Sequence, residues 1–272
     1  MVQAVPFVIE PKSNEATRSA AISVRGLRIG YGPRVLIDNA SFDVYRGEIL
    51  VILGGSGSGK SSLMKHIIGL YKPMSGDILI EGVSLVSADD ETRATLQRKL
   101  GVMYQSGALF GSMTVLENVR FPLDQFTDLA LPQKNLAARM LLHTVEMAQA
   151  ESLMPAELSG GMLKRAGIAR AMALGCNILL LDEPSAGLDP ITAANLDRII
   201  LSLRRDLGVT LVVVTHELQS IFTIADRAIM LDSSSRSILA NDKPAALRDH
   251  SNDARVRQFF NRQPDVLREQ GL

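Results

Sequence analysis

Short apolar segments rich in Val, Ile and Leu alternate along the chain with longer stretches whose apolar positions recur at helical spacing. The segments ISVRGLRI, ASFDV, EILVILG, DILIEG, GVMYQ, NILLLDE, TLVVVTH and RAIMLD predict strands, and further short strands are expected near the ends. Several are apolar at consecutive positions, as strands buried on both faces of a parallel sheet require. ISVRGLRI, ASFDV and DILIEG alternate more, which predicts an antiparallel layer beside that sheet. The pattern as a whole is that of an α/β fold.

Between residues 105 and 177 the strand signals vanish. TVLENVR, KNLAARMLLHTVEMAQA and MLKRAGIARAMAL predict a helical insertion over about residues 106–176. Thr114 with Glu117 three residues later forms a capping box and sets a helix start just after the loop SGALFGSM. Asp189 and Pro190 set another, the first as N-cap and the second in the first position of ITAANLDRIILSLRRDL. In LSGGMLKR, residues 158–165, a Ser-Gly-Gly turn opens a helix in which Leu163, Ala166 and Ile168 pack while Lys164 and Arg165 face solvent. Residues 241–272 form a polar tail, helical by propensity, with Phe259 and Phe260 as its only aromatics. Those two either anchor the tail to a neighbouring subunit or dock on the chain's own core. Residues 1–20 read as a loosely docked leader without the pattern of a secretion signal.

Composition narrows the function. With 272 residues, 46% of them hydrophobic, the chain can bury one large core or two modest ones. Its 29 acidic and 29 basic side chains balance, so no global attraction to nucleic acid or anionic lipid is expected, and no nucleic-acid partner. The single cysteine, Cys176, lies in an apolar run; it fits a buried core residue in a reducing cytosol and excludes an intrachain disulfide. AMALGCNILLL, the longest nearly apolar stretch, falls short of the roughly 18–20 residues that span a bilayer.

The chemistry begins at GGSGSGKS, residues 54–61, between the strand EILVIL and the helical pattern SSLMKHIIGL. That is the context a G-x-x-x-x-G-K-[ST] phosphate loop demands, and a chance match is expected about once in a hundred chains of this length. The amides of Gly54, Gly55, Ser56, Gly57, Ser58 and Gly59 would wrap the β-phosphate of a nucleotide, with the following helix adding positive potential. Lys60 supplies a point charge to the β/γ oxygens, Ser61 a hydroxyl to Mg²⁺, and Ser62 continues the same cradle. ILLLDE ends a buried strand on Asp182, placed to reach Mg²⁺ through water, and Glu183, placed to orient or deprotonate an attacking water. His216, after TLVVVT, and Gln105, ending GVMYQ, leave the same edge of the sheet, where ligands bind in doubly wound folds.

GGSGSGKS, Gln105, LSGGM, ILLLDE, SAGLDP and His216 occur in the order seen in the nucleotide-binding subunits of ABC transporters, which this sequence closely resembles over about residues 21–240. The resemblance implies a P-loop NTPase core of the ABC ATPase type with a helical subdomain. It implies ATP and Mg²⁺ as cofactors and a head-to-tail dimer of two copies. Ser159, Gly160 and Gly161 of one copy would then face the γ-phosphate held by Lys60 of the other. Tyr31 would stack on adenine, Asp189 would cross the dimer, and Gln105 would link Mg²⁺ and attacking water to the helical subdomain. Ala108, Leu109 and Phe110 would line the groove for a short helix of a membrane partner, unless they simply pack inside the insertion.

Met162 stands where most members of the family have Gln, leaving an apolar, adaptable contact in place of a polar one. The LSGGM form, together with GGSGSGKSSLMKHIIGL and the RVRQFFN tail, resembles the ATPase subunits of Mla-type, MCE-associated lipid transport systems of Gram-negative bacteria. That resemblance implies an MlaE-like permease pair, an MlaD-like periplasmic MCE ring and a small MlaB-like STAS partner. It also implies attachment at the cytoplasmic face of the inner membrane and phospholipid as cargo. The alternatives are the ATPase of another ABC importer or exporter, or a soluble ABC ATPase of cluster assembly. A small GTPase is disfavoured because the N-K-x-D guanine-reading motif is missing.

Overall fold

The structure, a computed structural model, describes residues 19–262; the expected leader before Ser19 and residues 263–272 of the tail lie outside it. Two long antiparallel strands come first, β1 (Ala20–Tyr31) and β2 (Arg34–Tyr45). β3 (Ile49–Gly54) then feeds α1 (Lys60–Ile67) through the glycine-rich loop, followed by β4 (Ser75–Ile80), β5 (Val83–Ser84), α2 (Asp90–Arg98) and β6 (Leu100–Met103). The insertion holds α3 (Val115–Phe126), α4 (Leu131–Thr144) and α5 (Gly160–Ala171), with short 3-10 turns between the last two. The chain returns through β7 (Ile178–Asp182), α6 (Pro190–Leu207), β8 (Thr210–Val214), α7 (Leu218–Ile224) and β9 (Arg227–Asp232). It closes with β10 (Ser237–Asp242), α8 (Pro244–His250) and α9 (Ala254–Phe260).

The strands form two sheets. One has the order β10-β9-β3-β8-β7-β6 and is parallel except at β10; the other is antiparallel with the order β2-β1-β4-β5. The antiparallel layer read from the alternating strands is therefore present, and the chain is a mixed α/β fold of two sheets and helices. Alternation along the central strands divides the interior in two. Ile49, Val51, Leu53, Leu179, Leu181, Leu211 and Val213 face one way, into a core closed by α6 and the helical insertion. Leu50, Ile52, Ile178, Leu180, Val212 and Val214 face the other, against α1 and the antiparallel sheet. That double burial is why these strands read as unbroken apolar runs.

Local signals set several helix ends where they were expected. Thr114 and Glu117 make the capping box of α3, and the Asp189 side chain accepts from Ile191 and Thr192 N–H, each at 3.1 Å, to start α6. Cys176 is buried, and burial pushes its thiol up to about 12, so it is an inert core group. The polar α2 was not anticipated: Leu96 is its only buried residue, which leaves no apolar period to detect, and its one local mark is the Asp89 cap on Thr92 N–H at 2.8 Å.

Two expectations for exposed or undecided side chains are settled by packing. Lys164 does not face solvent: it is 6% exposed, because α5 turns that side toward the sheet and distant carbonyls receive its ammonium. Phe260 docks on the chain's own core beside Leu247 and Val256, edge-on to Phe222 with ring centroids 5.8 Å apart, and Phe259 packs against it.

Asp197, on α6, is buried against Ser220 of α7, and burial pushes its carboxyl up to about 6 from 3.8 despite the Ser220 hydrogen bond. The folded state holds a proton there that the unfolded chain releases. The resulting stability is complete below the unfolded pKa and is lost as pH rises through the folded one. Asp197→Asn, which removes the charge and keeps a hydrogen-bonding group, should stabilise the protein by on the order of 2 kcal/mol at neutral pH and by almost nothing near pH 4. Thermal melts of both proteins across that range check the difference.

Candidate active site

Because β3, β8, β7 and β6 are adjacent and parallel, whatever follows each strand emerges at one edge of the sheet. β3 delivers residues 54–62, β7 ends on Asp182 with Glu183 next, β8 leads to His216 and β6 to Gln105. This is the carboxyl edge at which open α/β sheets bind ligands.

The loop needs its glycines. Gly54 has φ 148°, and a Cβ there would stand 2.4 Å from the Leu231 carbonyl oxygen and 2.7 Å from Ser58 Oγ. Gly59, at φ 94°, immediately precedes α1, so the first unpaired N–H groups of that helix open into the loop. Gly55, Ser56 and Gly57 are exposed along its rim, whereas Ser58 is buried. Lys60 Nζ donates back to the carbonyls of Gly54 at 2.8 Å and Gly55 at 3.1 Å. Burial lowers the pKa of this ammonium, and the charges of Glu183 and Asp182 oppose that shift. Such a group can exchange loop carbonyls for the stronger acceptors of a phosphate without changing its place.

Ser61 Oγ donates to Asp182 Oδ1 at 3.4 Å. Burial, and after it the neighbouring Glu183, raise the Asp182 pKa, so a divalent cation would relieve the local excess of negative charge. The side chains here are a hydroxyl and a carboxylate, hard oxygen ligands that fit Mg²⁺, and Gln105 follows the neighbouring strand β6 on an exposed loop. Among the described residues no group of three or more His, Cys, Asp or Glu could hold a metal alone. A Mg²⁺ bound here would therefore complete its shell with phosphate and water, as that ion commonly does.

Glu183 sits in the left-handed region at φ 47°, uncommon for a residue with a side chain. Its N–H donates to the Val214 carbonyl at 2.8 Å, which ties the strained residue to the end of β8. One carboxylate oxygen accepts from His216 Nδ1 at 2.9 Å; the other is buried without a hydrogen-bond partner among the described residues. A carboxylate oriented by an imidazole and retaining a free acceptor can position a water and accept its proton.

Tyr31 is 46% exposed beyond the loop, its hydroxyl 3.1 Å from Ser62 Oγ and its ring edge-on to Tyr71 at 5.8 Å between centroids. Tyr71, which no sequence motif marks, adds a second exposed aromatic there. The signature turn, Ser159-Gly160-Gly161, opens α5. Ser159 caps α5 by accepting from Met162 N–H at 3.4 Å, and Ser159 and Gly160 are exposed. Gly161 is buried: a Cβ there would meet Thr192 Cγ2 at 2.4 Å, so its lack of a side chain lets α5 approach α6. Among the described residues no hydrogen bond joins residues 159–161 to residues 54–62.

The segment after Gln105 is gripped by side chains that sequence reading passed over. Arg170 donates to the carbonyls of Ala108 at 2.7 Å and Gly107 at 3.1 Å and lies over the Phe110 ring. Buried Asn118 bonds both the N–H and the carbonyl of Phe110 and the carbonyls of Met113 and Thr114. Leu109 packs toward the core and Phe110 stays largely exposed, so the three residues 108–110 divide between core and surface. The only sequence hint was polarity out of place: an Asn and an Arg within apolar helical patterns.

Comparison with known proteins agrees with this geometry. A family model described as ABC transporter matches residues 37–186. The intermembrane phospholipid transport system ATP-binding protein MlaF of Escherichia coli is 39% identical over 239 residues, 88% of this chain and 88% of that protein. The probable ribonucleotide transport ATP-binding protein mkl of Mycobacterium leprae is 36% identical over 241 residues, 89% of this chain and 69% of that protein. Among solved structures, a dimeric ATP-binding cassette in a post-hydrolysis state, bound to ADP and Pi, aligns with a TM-score of 0.74 at 28% identity, over 82% of this chain and 98% of that one. With the family model spanning over half of its length and such a relative along nearly all of it, the chain belongs to the ABC transporter family, as an ATP-binding and ATP-hydrolysing subunit.

Proposed function

We propose that this ATPase subunit energises phospholipid transport between the inner and outer membranes of a Gram-negative bacterium, by closing as a head-to-tail dimer on two ATP molecules. What supports the dimer is that, among the described residues, no hydrogen bond joins residues 159–161 to the glycine-rich loop of the same chain. The cradle of residues 54–62 has its lysine, hydroxyl and carboxylates around it, while the exposed Ser159 and Gly160 at the start of α5 are not bonded to it. A second copy related by a two-fold axis offers its signature turn to this cradle and receives the reciprocal contact.

In the closed dimer the loop amides and Lys60 hold the β- and γ-phosphates, and the partner copy's serine and glycine donors reach the γ-phosphate from the other side. Ser61, Asp182 and Gln105 would hold Mg²⁺, which when bound would supply charge neutralisation for the phosphoryl group. Glu183 orients water and takes its proton, His216 keeps that carboxylate in place, and Tyr31 stacks on adenine. Asp189, which caps α6, would cross the dimer and couple the two sites. Loss of the γ-phosphate removes the link between copies, so opening and closing can drive attached membrane domains.

Among the described residues no helix is long and apolar enough to cross a membrane, so those domains come from other chains. The resemblance to MlaF supports an MlaE-like permease, with an MlaD-like MCE protein and an MlaB-like STAS protein, at the cytoplasmic face of the inner membrane. The exposed Phe110 and its neighbours are suited to receive a permease helix. The mkl relative favours ribonucleotide as the competing cargo, but it shares only 69% of its own length with this chain, against 88% for MlaF.

Glu183→Gln should leave ATP binding intact, cut turnover by about a hundredfold or more, and accumulate an ATP-bound dimer on light scattering. Undiminished steady-state hydrolysis would remove Glu183 from its role. Mixing a Lys60→Ala chain with a Ser159→Ala chain tests the shared site. Half of random dimers are mixed, and each of those keeps one of two sites intact, so activity should recover to about a quarter of wild type. No recovery above the separate variants would rule the shared site out. In vesicles carrying the complex purified from membranes, ATP-dependent movement of labelled phospholipid is expected, and movement of ribonucleotide instead would reassign the cargo.

A further inference from the structure

We infer that Lys164 is a positioning residue for hydrolysis: a single buried ammonium fastens the helix that starts at the signature turn to the backbone of both Gln105 and Glu183. Lys164 Nζ donates to the Gln105 carbonyl and, at 3.3 Å, to the Glu183 carbonyl. Those acceptors are 59 and 19 residues away in sequence and belong to the segments that follow β6 and β7, so one side chain joins three elements. The inference rests on the roles assigned above to Gln105, Glu183 and Ser159.

Other contacts make the tie stiff. Gly167 packs so closely on Gly107 that a Cβ would stand 3.2 Å from it, and Arg170 clamps the Gly107 and Ala108 carbonyls. The segment after Gln105 is thus stapled to α5 at both ends, by Lys164 and by Arg170. The tie to Glu183 matters more, because Glu183 holds a left-handed backbone conformation that persists only when its surroundings enforce it. Val214 receives its N–H from one side, and Lys164, with the Ala186 N–H at 3.2 Å, holds its carbonyl from the other. Without the ammonium the backbone can relax and carry the carboxylate away from His216.

Lys164 lies five residues beyond Ser159 on one helix, an axial rise of about 7.5 Å. A phosphate of the partner copy's nucleotide engaging Ser159 therefore bears on the same rigid segment that holds Gln105 and Glu183. Burial lowers the pKa of Lys164, and the nearby Glu183 and Asp182 charges oppose that shift. Arg165, its neighbour, bonds among the described residues only the Glu146 carbonyl and provides a control.

The test uses the full chain purified with its membrane partners. Lys164→Met, of similar length and unable to donate, should lower kcat for ATP hydrolysis about tenfold or more with KM for ATP within about twofold. Lys164→Arg, which still donates, should restore most of the rate, and Arg165→Met should behave as wild type. Unchanged kcat in Lys164→Met, or Lys164→Arg no better than Lys164→Met, overturns the inference, as does a rate loss that merely follows a fallen thermal midpoint. If Lys164→Met does not fold, Lys164→Gln, neutral and one atom shorter so that its amide donors reach less far, must fall between wild type and inactive; full activity there overturns it equally. Glu183→Gln, measured alongside, separates the two levels. Retained turnover in that variant defeats the reading of the site itself, whereas its inactivity beside a normal Lys164→Met defeats only the role of Lys164.

Discussion

Burial of one parallel sheet on both faces is the constraint from which the rest follows. Helices and the insertion cover one face and α1 with the antiparallel sheet covers the other, so the central strands carry almost no polar side chain. Parallel strands need long crossovers, and those crossovers leave the sheet at its carboxyl edge. The glycine loop, Asp182, Glu183, His216 and Gln105 leave one edge because β3, β7, β8 and β6 are neighbours, and side-chain contacts such as His216 to Glu183 are added to the spacing that the backbone ladder sets.

At that edge the site brings charges of both signs close together. Asp182 is pushed up by burial and by Glu183, while Lys60 is pushed down by burial, so each sign awaits compensation from a ligand of the other. A triphosphate with Mg²⁺ brings both. The glycines serve two different ends: Gly54 allows the loop to pass close to the Leu231 carbonyl, whereas Gly161 allows α5 to press on Thr192. A glycine-rich turn is therefore not by itself a count of anion donors, and only Ser159 and Gly160 stand exposed at the signature turn.

The helical insertion is joined to this edge by cations that reach backbone carbonyls. Carbonyl acceptors need no matching acidic residue, which is why no charge pattern in the sequence announces Lys164 or Arg170. Both act on the segment after Gln105, in which Phe110 stays exposed. Forces applied there and forces applied at Ser159 meet in one helix, α5.

The sequence alone determined what short-range physics controls. The alternation that separates the two sheets, the Thr114 and Asp189 caps, and the strand-loop-helix context of Lys60 were all legible because each depends on residues a few positions apart. The ordered motifs carried the family. Tertiary structure decided where burial overrides local character. Lys164 on a helix looks like a solvated charge until carbonyls 59 and 19 residues away enclose it, and Phe260 looks equally fit for a partner until Phe222 and Val256 meet it. The physical reason is the same in each case: whether a polar group can be buried, or an apolar one left exposed, depends on acceptors and surfaces that only the folded chain brings near.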